Sequence, residues 1–222
     1  MKKRTKIVSA VIAGATILIG GIWMINETRY PNVPAFNDHF TREFLDKGKK
    51  ADNEFYEFKS KTGQYTMWFP EEYQLVHENK EDYAISGQFY ERWVASSENF
   101  FNNKNEISYM NVELAEKVKE NEEVNVESLF KKNIHVNKPK KMDTANVSIY
   151  YDSAYTYFKG TEEKVVKNNI KYVPNTYVAY IADKNTNKVI ELYYKYTGDH
   201  LTDKQGEKQD KLIVKMLKSV KF

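Results

Sequence analysis

Residues 175–197 read NTYVAYIADKNTNKVIELYYKYT, two apolar and Tyr-rich runs joined by a polar segment. Side chains alternate between the two faces of a strand, so the second run places four apolar or aromatic residues on one face: Ile190, Leu192, Tyr194 and Tyr196. The first run has the same β-branched and aromatic character. Asp and Asn between the runs suit a tight turn. This stretch therefore predicts an antiparallel hairpin.

The polar segment of this hairpin also matches the beginning of a calcium-binding loop. Asp183, Asn185 and Asn187 provide the D-x-N-x-N pattern, but the complete loop requires Gly at its sixth position and Glu at its twelfth. Lys188 and Tyr194 stand there instead. The four histidines are widely spaced and form no H-x-H or H-E-x-x-H pair. We therefore expect a hairpin turn here, no metal site and no cofactor.

Strand-like segments recur along the rest of the chain. Runs rich in β-branched and aromatic residues mark five further strand regions: residues 55–75, 83–96, 106–114, 147–158 and 162–166. The first of these regions is predicted to be a hairpin, with Lys61-Thr62-Gly63 as its turn and Pro70 at the end of its second strand. The basic segment 137–146 is predicted to be a loop.

Three segments have the apolar spacing of helices. Asn37 can cap a short helix that Gly48 stops, and Asn125 can cap a second helix within residues 122–134. The third helix is C-terminal, and its apolar stripe consists of Leu212, Ile213, Met216, Leu217 and Val220. The order of strands, helix, strands and helix indicates the α+β class, an antiparallel β-sheet domain covered by helices.

Two of these segments resemble the PsbP-like domains of bacterial exported proteins. Residues 62–76, TGQYTMWFPEEYQLV, resemble the opening hairpin of such domains, with its aromatic-Pro step and apolar return. Residues 213–222, IVKMLKSVKF, resemble their last helix. The resemblance spans about residues 53–222. It implies a role in assembly or binding, and it carries over no catalytic residues.

An uncharged run of 19 residues, IVSAVIAGATILIGGIWMI at positions 7–25, precedes this domain. At about 1.5 Å per residue, a helix of this length can cross a hydrocarbon core of ~30 Å. A cleaved signal peptide is the alternative, but cutting at its clearest match, Ala13-Gly14-Ala15, would leave an apolar new terminus. Four basic residues precede the run, so the positive-inside rule places residues 30–222 outside the cell.

The chain is therefore predicted to have four parts. They are a cytoplasmic basic tail (1–6), a transmembrane anchor (7–25), a juxtamembrane linker with a short helix (26–52) and an extracytoplasmic α+β domain (53–222). We expect a single-pass protein of the cell membrane, with the lipid bilayer as the partner of the anchor.

Small residues of the anchor align on one helical face: Ser9, Ala13, Thr16 and Gly20. Small residues permit close approach of helices in a bilayer, so this face could contact another membrane helix. Chance alignment is the alternative, because small residues are common in membrane spans.

The distribution of charge and the absence of cysteine exclude several classes of function. Five basic residues against Glu27 put a charge of +4 in residues 1–29, which leaves −1 of the total of +3 for the remainder. A nucleic-acid-binding domain would keep a basic excess of its own, so no nucleic-acid partner is expected. The chain has no cysteine. Disulfides, thiol catalysis and a lipidated N-terminal cysteine are therefore excluded.

No complete catalytic pattern is present in the sequence. G-x-S-x-G is absent, and the S-x-x-K of Ser128 to Lys131 follows the K-T-G of residues 61–63 rather than preceding it. The glutamates of residues 113–127 are too closely spaced to be buried as an acid–base pair. We therefore expect a protein that is not an enzyme.

Two sets of residues are candidates for binding. One is a row of lysines at helical spacing on the C-terminal helix, which forms either a basic face for anionic polymers or lipid head groups or a plain solvated face: Lys204, Lys208, Lys211, Lys215 and Lys218. The other is a dense set of tyrosines, which either build an amphipathic binding face or lie under a helix: Tyr150, Tyr151, Tyr155, Tyr157, Tyr193, Tyr194 and Tyr196.

Two functions remain open at this point. The first is a membrane-anchored, extracytoplasmic interaction or assembly module of a bacterial envelope complex, whose partner is another envelope protein. The second is an exported small-ligand-binding protein or enzyme whose site is assembled only in three dimensions, for which a pocket with convergent polar groups would be evidence.

We predict that the mature protein keeps Met1–Ile25, because the apolar run is long and its downstream residues are too bulky for cleavage. Mass spectrometry of the intact protein extracted from membranes should give the mass of the whole chain. A mature N-terminus between Ala15 and Tyr30 would contradict the anchor.

Overall fold

The computed structural model describes residues 29–97, 107–166, 171–198 and 200–222. The strands of these residues are β1 (Leu45–Asp52), β2 (Phe55–Lys59), β3 (Thr66–Pro70), β4 (Tyr73–Val76), β5 (Tyr83–Ser86), β6 (Tyr90–Ser97), β7 (Ser108–Glu116), β8 (Lys140–Asp143), β9 (Val147–Lys159), β10 (Glu162–Val166), β11 (Thr176–Asp183) and β12 (Lys188–Tyr196). The α-helices are α1 (Pro34–Asn37), α2 (His39–Arg42), α3 (Glu122–Ile134) and α4 (Asp203–Ser219).

The strands form two antiparallel sheets. The larger sheet has the order β10-β9-β11-β12-β7-β6-β4, with β5 also paired to β6 and β8 to β9. The smaller sheet has the order β1-β2-β3. The predicted hairpin of residues 175–197 is confirmed as β11 and β12, and it lies in the middle of the larger sheet.

Both faces of the larger sheet are covered at β11, where all eight residues are buried. Tyr177, Ala179 and Ile181 point into the main core, which the smaller sheet and α4 complete. Val178, Tyr180 and Ala182 point to the other side, where they pack beneath α3. The predicted α+β class is confirmed as a sheet-rich domain, although a second sheet shares the covering role with the helices.

The main core is aromatic and joins the two sheets. The Trp93 ring of the larger sheet lies 5.1 Å from the Phe58 ring and 5.9 Å from the Phe69 ring of the smaller sheet, measured between ring centres. The Trp93 indole N–H donates a hydrogen bond of 2.8 Å to the Tyr65 hydroxyl. These rings remove large apolar areas from water while the one polar atom of the indole is satisfied.

The C-terminal helix α4 closes this core. A capping box of Thr202 and Gln205 begins the helix. Ile213, Met216 and Leu217 are buried as the predicted stripe requires. At its end, Ser219 Oγ accepts a hydrogen bond of 2.8 Å from the Trp68 amide of the smaller sheet.

The predicted helix between Asn37 and Gly48 is wrong. Asp38 has an extended backbone and separates the two short turns α1 and α2, and its carboxylate accepts a 2.7 Å hydrogen bond from the Thr41 amide. Gly48 lies inside β1, which pairs with β2. Pairing with β2 has therefore overridden the predicted helix from Leu45 onward, whereas Phe36 and Phe40 lie in the two short turns. Packed structure consequently begins before residue 53.

Two smaller expectations also need correction. Asn125 does not cap the second helix, because α3 begins at Glu122 with two acidic residues in its first turn, where the helix dipole favours them. Residues 137–146 are not wholly a loop. β8 lies within them and pairs with the first half of β9, because β9 is long enough to pair with β8 and then β10 along one edge.

The two predicted turns are found. Gly63 adopts a left-handed φ of 70° in the turn between β2 and β3, a conformation that glycine reaches without strain. In the turn between β11 and β12, the Asp183 carboxylate accepts hydrogen bonds from the Asn185 amide and the Thr186 hydroxyl. The pattern that begins like a calcium loop thus closes a hairpin.

No helix in the described part of the chain is long and apolar enough to cross a membrane. The predicted span of residues 7–25, with its face of Ser9, Ala13, Thr16 and Gly20, lies outside that part.

We predict that Leu217→Ala lowers the free energy of unfolding by ~2–5 kcal/mol, because it removes buried methyl groups and leaves a cavity. The exposed Lys211 of the same helix is the control, and Lys211→Ala should change stability by less than about 0.5 kcal/mol. Thermal and urea unfolding measure both. Equal effects would contradict the docking of α4.

A buried carboxylate also joins the two sheets. Glu91 of β6 is fully buried. It accepts hydrogen bonds from the Ser60 hydroxyl, from the Lys61 amide at 3.1 Å and from the Tyr83 hydroxyl at 3.1 Å. Burying a carboxylate is costly unless donors replace its water, so these bonds fix the β2–β3 turn against β6.

Removing that carboxylate should be strongly destabilising. Glu91→Ala leaves three donors without their partner, at about 1–3 kcal/mol for each buried one, so we expect a total loss above ~3 kcal/mol. Glu91→Gln keeps an acceptor of the same shape and should cost clearly less. Urea unfolding of both variants, with exposed Glu120→Ala as the control, measures the difference. If all three variants match the parent chain, the carboxylate does not hold the sheets together.

Candidate functional site

One face of the larger sheet is only half covered. α3 lies over the centre of that face and buries Val126, Phe130 and Ile134 there. Beyond α3 the face continues over β7 and β6, whose outward side chains remain partly exposed. The step between helix and open strands forms a groove of about 340 Å³, the α3 groove. Its lining includes Tyr109, Asn111, Glu113, Leu129, Asn133, Glu191 and Tyr193.

Two tyrosines form the aromatic part of the α3 groove. The rings of Tyr109 and Tyr193 lie 6.1 Å apart, because β7 and β12 are neighbours and the two residues are diagonal in their ladder. Burial raises the pKa of both phenols. They therefore keep their protons at neutral pH and can both donate and accept hydrogen bonds.

Polar side chains form the rest of its floor, and basic residues next to the floor contact them. Arg92 of β6 lies opposite Glu113 of β7, and the Arg92 Nε donates a hydrogen bond of 3.2 Å to the Asn111 amide oxygen. Glu191 lies opposite Glu113 on the other side and forms an ion pair with Lys117. The floor therefore presents tyrosine, amide and carboxylate groups, with the basic side chains of Arg92 and Lys117 next to it.

An ion pair with a buried lysine holds the β9–β10 hairpin beside this face. Lys195 lies opposite Tyr109 in the ladder of β12 and β7 and is only 5% exposed. Its ammonium forms an ion pair with Glu163 of β10 and lies 4.7 Å from the centre of the Phe158 ring. A buried ammonium needs such a partner, so the pair fixes the hairpin relative to β12.

The predicted lysine row lies on the exposed side of α4. Two of its members are engaged within the domain: the Lys208 ammonium lies 3.1 Å from a Glu72 carboxylate oxygen, and that of Lys215 lies 2.5 Å from an oxygen of Asp52. Lys211 lines a cleft beside α4. The helix spacing thus brings the five lysines to one side, and their binding of an anionic surface stays a prediction.

The tyrosines predicted as a binding face are divided among four environments. Tyr194 is buried in the main core, and Tyr150 lies beside α3, where its hydroxyl donates a 2.8 Å hydrogen bond to Glu122. Tyr193 lines the α3 groove. Tyr155 and Tyr157 lie together near the end of β9. Some of these tyrosines are therefore covered and others exposed, and a binding role for the exposed ones stays a prediction.

Sequence reasoning missed the polar floor of the α3 groove. Arg92, Asn111 and Glu113 meet only because β6 pairs with β7, and no local pattern connects the two strands. The buried Glu91 had a detectable signal, since it alternates with Trp93 and Ala95 on one face of a strand. Among the described residues, no group of three or more His, Asp or Glu is placed to bind a metal.

These features define a class of protein, a sheet-rich α+β domain with an open groove on one face. Within that class the chain belongs to the family described as "Putative lipoprotein YvcA", whose model matches residues 31–221. The family is one of exported, envelope-associated proteins, as the sequence predicted. No curated protein and no solved structure matches the chain.

Proposed function

We propose that this chain is a membrane-anchored, extracytoplasmic binding module of a cell-envelope complex and performs no chemistry itself. The observation that carries the proposal is the α3 groove, an open strip of the larger sheet about 340 Å³ in volume. Membership of an exported, envelope-associated family supports the location.

The composition of the α3 groove suits a protein partner. Tyrosine and arginine are enriched in protein interfaces, and they dominate binding where they line a desolvated pocket. Tyr109 and Tyr193 line the groove, Leu129 adds an apolar wall, and Arg92 lies next to the groove, where it bonds to Asn111 of the floor. The amides of Asn111 and Asn133 can bond to backbone groups of the partner. A partner that inserts an aliphatic or aromatic side chain between the tyrosines and α3 fits this arrangement.

A second candidate function, the binding of a small ligand, has separate support. A cleft of about 620 Å³ lies beside α4, lined by aromatic, acidic and basic residues. Cavities of this size accommodate small molecules. The cleft and the α3 groove are distinct, so the two functions can coexist.

We also propose that the domain shares the PsbP-like fold. The two segments that carry the resemblance meet in the structure, because α4 packs against β3. The strand that ends at Pro70 and the apolar return at β4 support this proposal.

The mode of anchoring is proposed to differ from the family's description. A bacterial lipoprotein carries its lipid on a cysteine thiol, and this chain has no cysteine. Residues 7–25 are apolar and uncharged over a length that can span a bilayer. In this proposal they replace the lipid as a single-pass anchor, with the basic residues before them in the cytoplasm.

Site-directed photo-cross-linking of the whole chain in its native membrane tests the binding role. A cross-linking residue at position 111, in the floor of the α3 groove, should give adducts of discrete mass. The control position is exposed Lys49 in β1 of the smaller sheet, which should give none. Tyr193→Ala should weaken the adducts formed from position 111, because it removes an aromatic contact of the groove.

Cross-linking also has an outcome that contradicts the proposal. If positions 49 and 111 give the same adducts, or if Tyr193→Ala leaves those from position 111 unchanged, the α3 groove does not hold the partner.

A further inference from the structure

A ledge of stacked aromatic rings lies on the opposite face of the larger sheet from the α3 groove. Tyr155 and Tyr157 alternate along β9 with ring centres 6.1 Å apart. The Tyr155 ring stacks on Tyr172 at 4.7 Å, with 13° between the planes. A hydrogen bond of 3.0 Å joins the Tyr155 hydroxyl and the His200 Nδ1. We call these four residues the aromatic ledge.

The aromatic ledge remains accessible to solvent. Tyr157 is 41% and Tyr172 38% exposed, although both rings are stacked. Exposed aromatic rings scattered singly are ordinary on protein surfaces, whereas a contiguous group of them marks a binding surface. The stacking and the bond to His200 hold the rings in place before a ligand arrives, which lowers the entropy lost on binding.

The ledge leads into the cleft beside α4. Tyr172 belongs to both, and the cleft extends from it between the segment Val173–Pro174 and the first turns of α4, over a volume of about 620 Å³. Gly206 determines how closely α4 approaches the segment Val173–Pro174. A Cβ at Gly206 would lie 2.2 Å from the Val173 Cγ1, so the helix and the segment can touch only because the side chain is missing.

The lining of the cleft carries charged groups of both signs and several hydroxyls. Asp203, Glu207 and Asp210 supply carboxylates from α4, and Lys140 and Lys211 supply ammonium groups. Ser153, Tyr172 and Tyr177 add hydroxyls. Burial, and then the nearby Asp210, raises the pKa of Tyr177, so its phenol keeps the proton and can donate.

This combination fits a carbohydrate better than an ion. An anion would meet three carboxylates, and a cation would meet two ammonium groups. A sugar ring has a face of C–H groups that packs on an aromatic ring and an edge of hydroxyls that donate to carboxylates and accept from ammonium groups. The aromatic ledge and the cleft offer both kinds of contact side by side.

We propose that the aromatic ledge and the adjoining cleft bind an uncharged segment of a cell-envelope polysaccharide. Tyr172 stacks on a sugar ring at the mouth of the cleft, and the carboxylates of Asp203 and Glu207 accept bonds from its hydroxyls. Tyr157, at the other end of the stack, offers a second exposed ring to a neighbouring sugar of the chain, and Tyr155 holds the two rings in place between them. The site lies outside the α3 groove and does not depend on a protein partner there.

The test is binding of the purified whole chain, in detergent, to defined carbohydrates. The probes are oligomers of N-acetylglucosamine, a neutral glucan and purified cell-wall sacculi, which together distinguish peptidoglycan strands from other envelope glycans. We expect saturable binding to at least one probe. Tyr172→Ala should weaken it about tenfold or more, whereas Tyr172→Phe, which keeps the ring, should retain most of it.

Phe158→Ala is the matched control. Phe158 follows Tyr157 in β9, is 65% exposed and lies on the other face of the sheet, so its removal should leave binding unchanged. Glu207→Gln tests the carboxylates without altering any buried ring, and it serves if Tyr172→Ala fails to fold. Lack of binding to all three probes would overturn the proposal. So would binding that is unchanged in a folded Tyr172→Ala variant, or in Glu207→Gln where Tyr172→Ala does not fold.

Discussion

The structure depends on a strand that has no solvent-facing side. β11 pairs with β9 along one edge and with β12 along the other, and its side chains are buried on both faces. A strand in this position needs a separate apolar layer above and below it. The aromatic core beneath the smaller sheet and α4 supplies one layer, and the apolar face of α3 supplies the other.

The two candidate surfaces arise where these layers stop. α3 is 13 residues long and leaves β7 and β6 open, which creates the α3 groove. On the other face, α4 does not cover the end of β9, where Tyr155 is partly exposed and Tyr157 is exposed. Both candidate surfaces are therefore the uncovered margins of a sheet whose centre is fully buried, and the two margins differ in chemistry.

Local sequence determined much of this fold and little of its surfaces. The alternation in β12 and the turn at Gly63 were readable because they depend on neighbouring residues alone. Residues 45–48 were misread as the end of a helix because pairing of β1 with β2, a contact between separate segments, decides their structure. The α3 groove and the Ser60–Glu91 bond could not be predicted, because strand pairing brings Tyr109 beside Tyr193 and sheet docking brings Ser60 to Glu91.

The docking of α4 also bears on when the domain can fold. The bond from the Trp68 amide to Ser219 joins residues 151 positions apart, and the main core stays open on one side until α4 has been added. Contacts between distant segments form slowly, because a long loop must close before they are made. This delay suits a chain that crosses a membrane unfolded, because the chain cannot form a stable domain too early. Nearly all of the chain must reach the far side before the domain can fold.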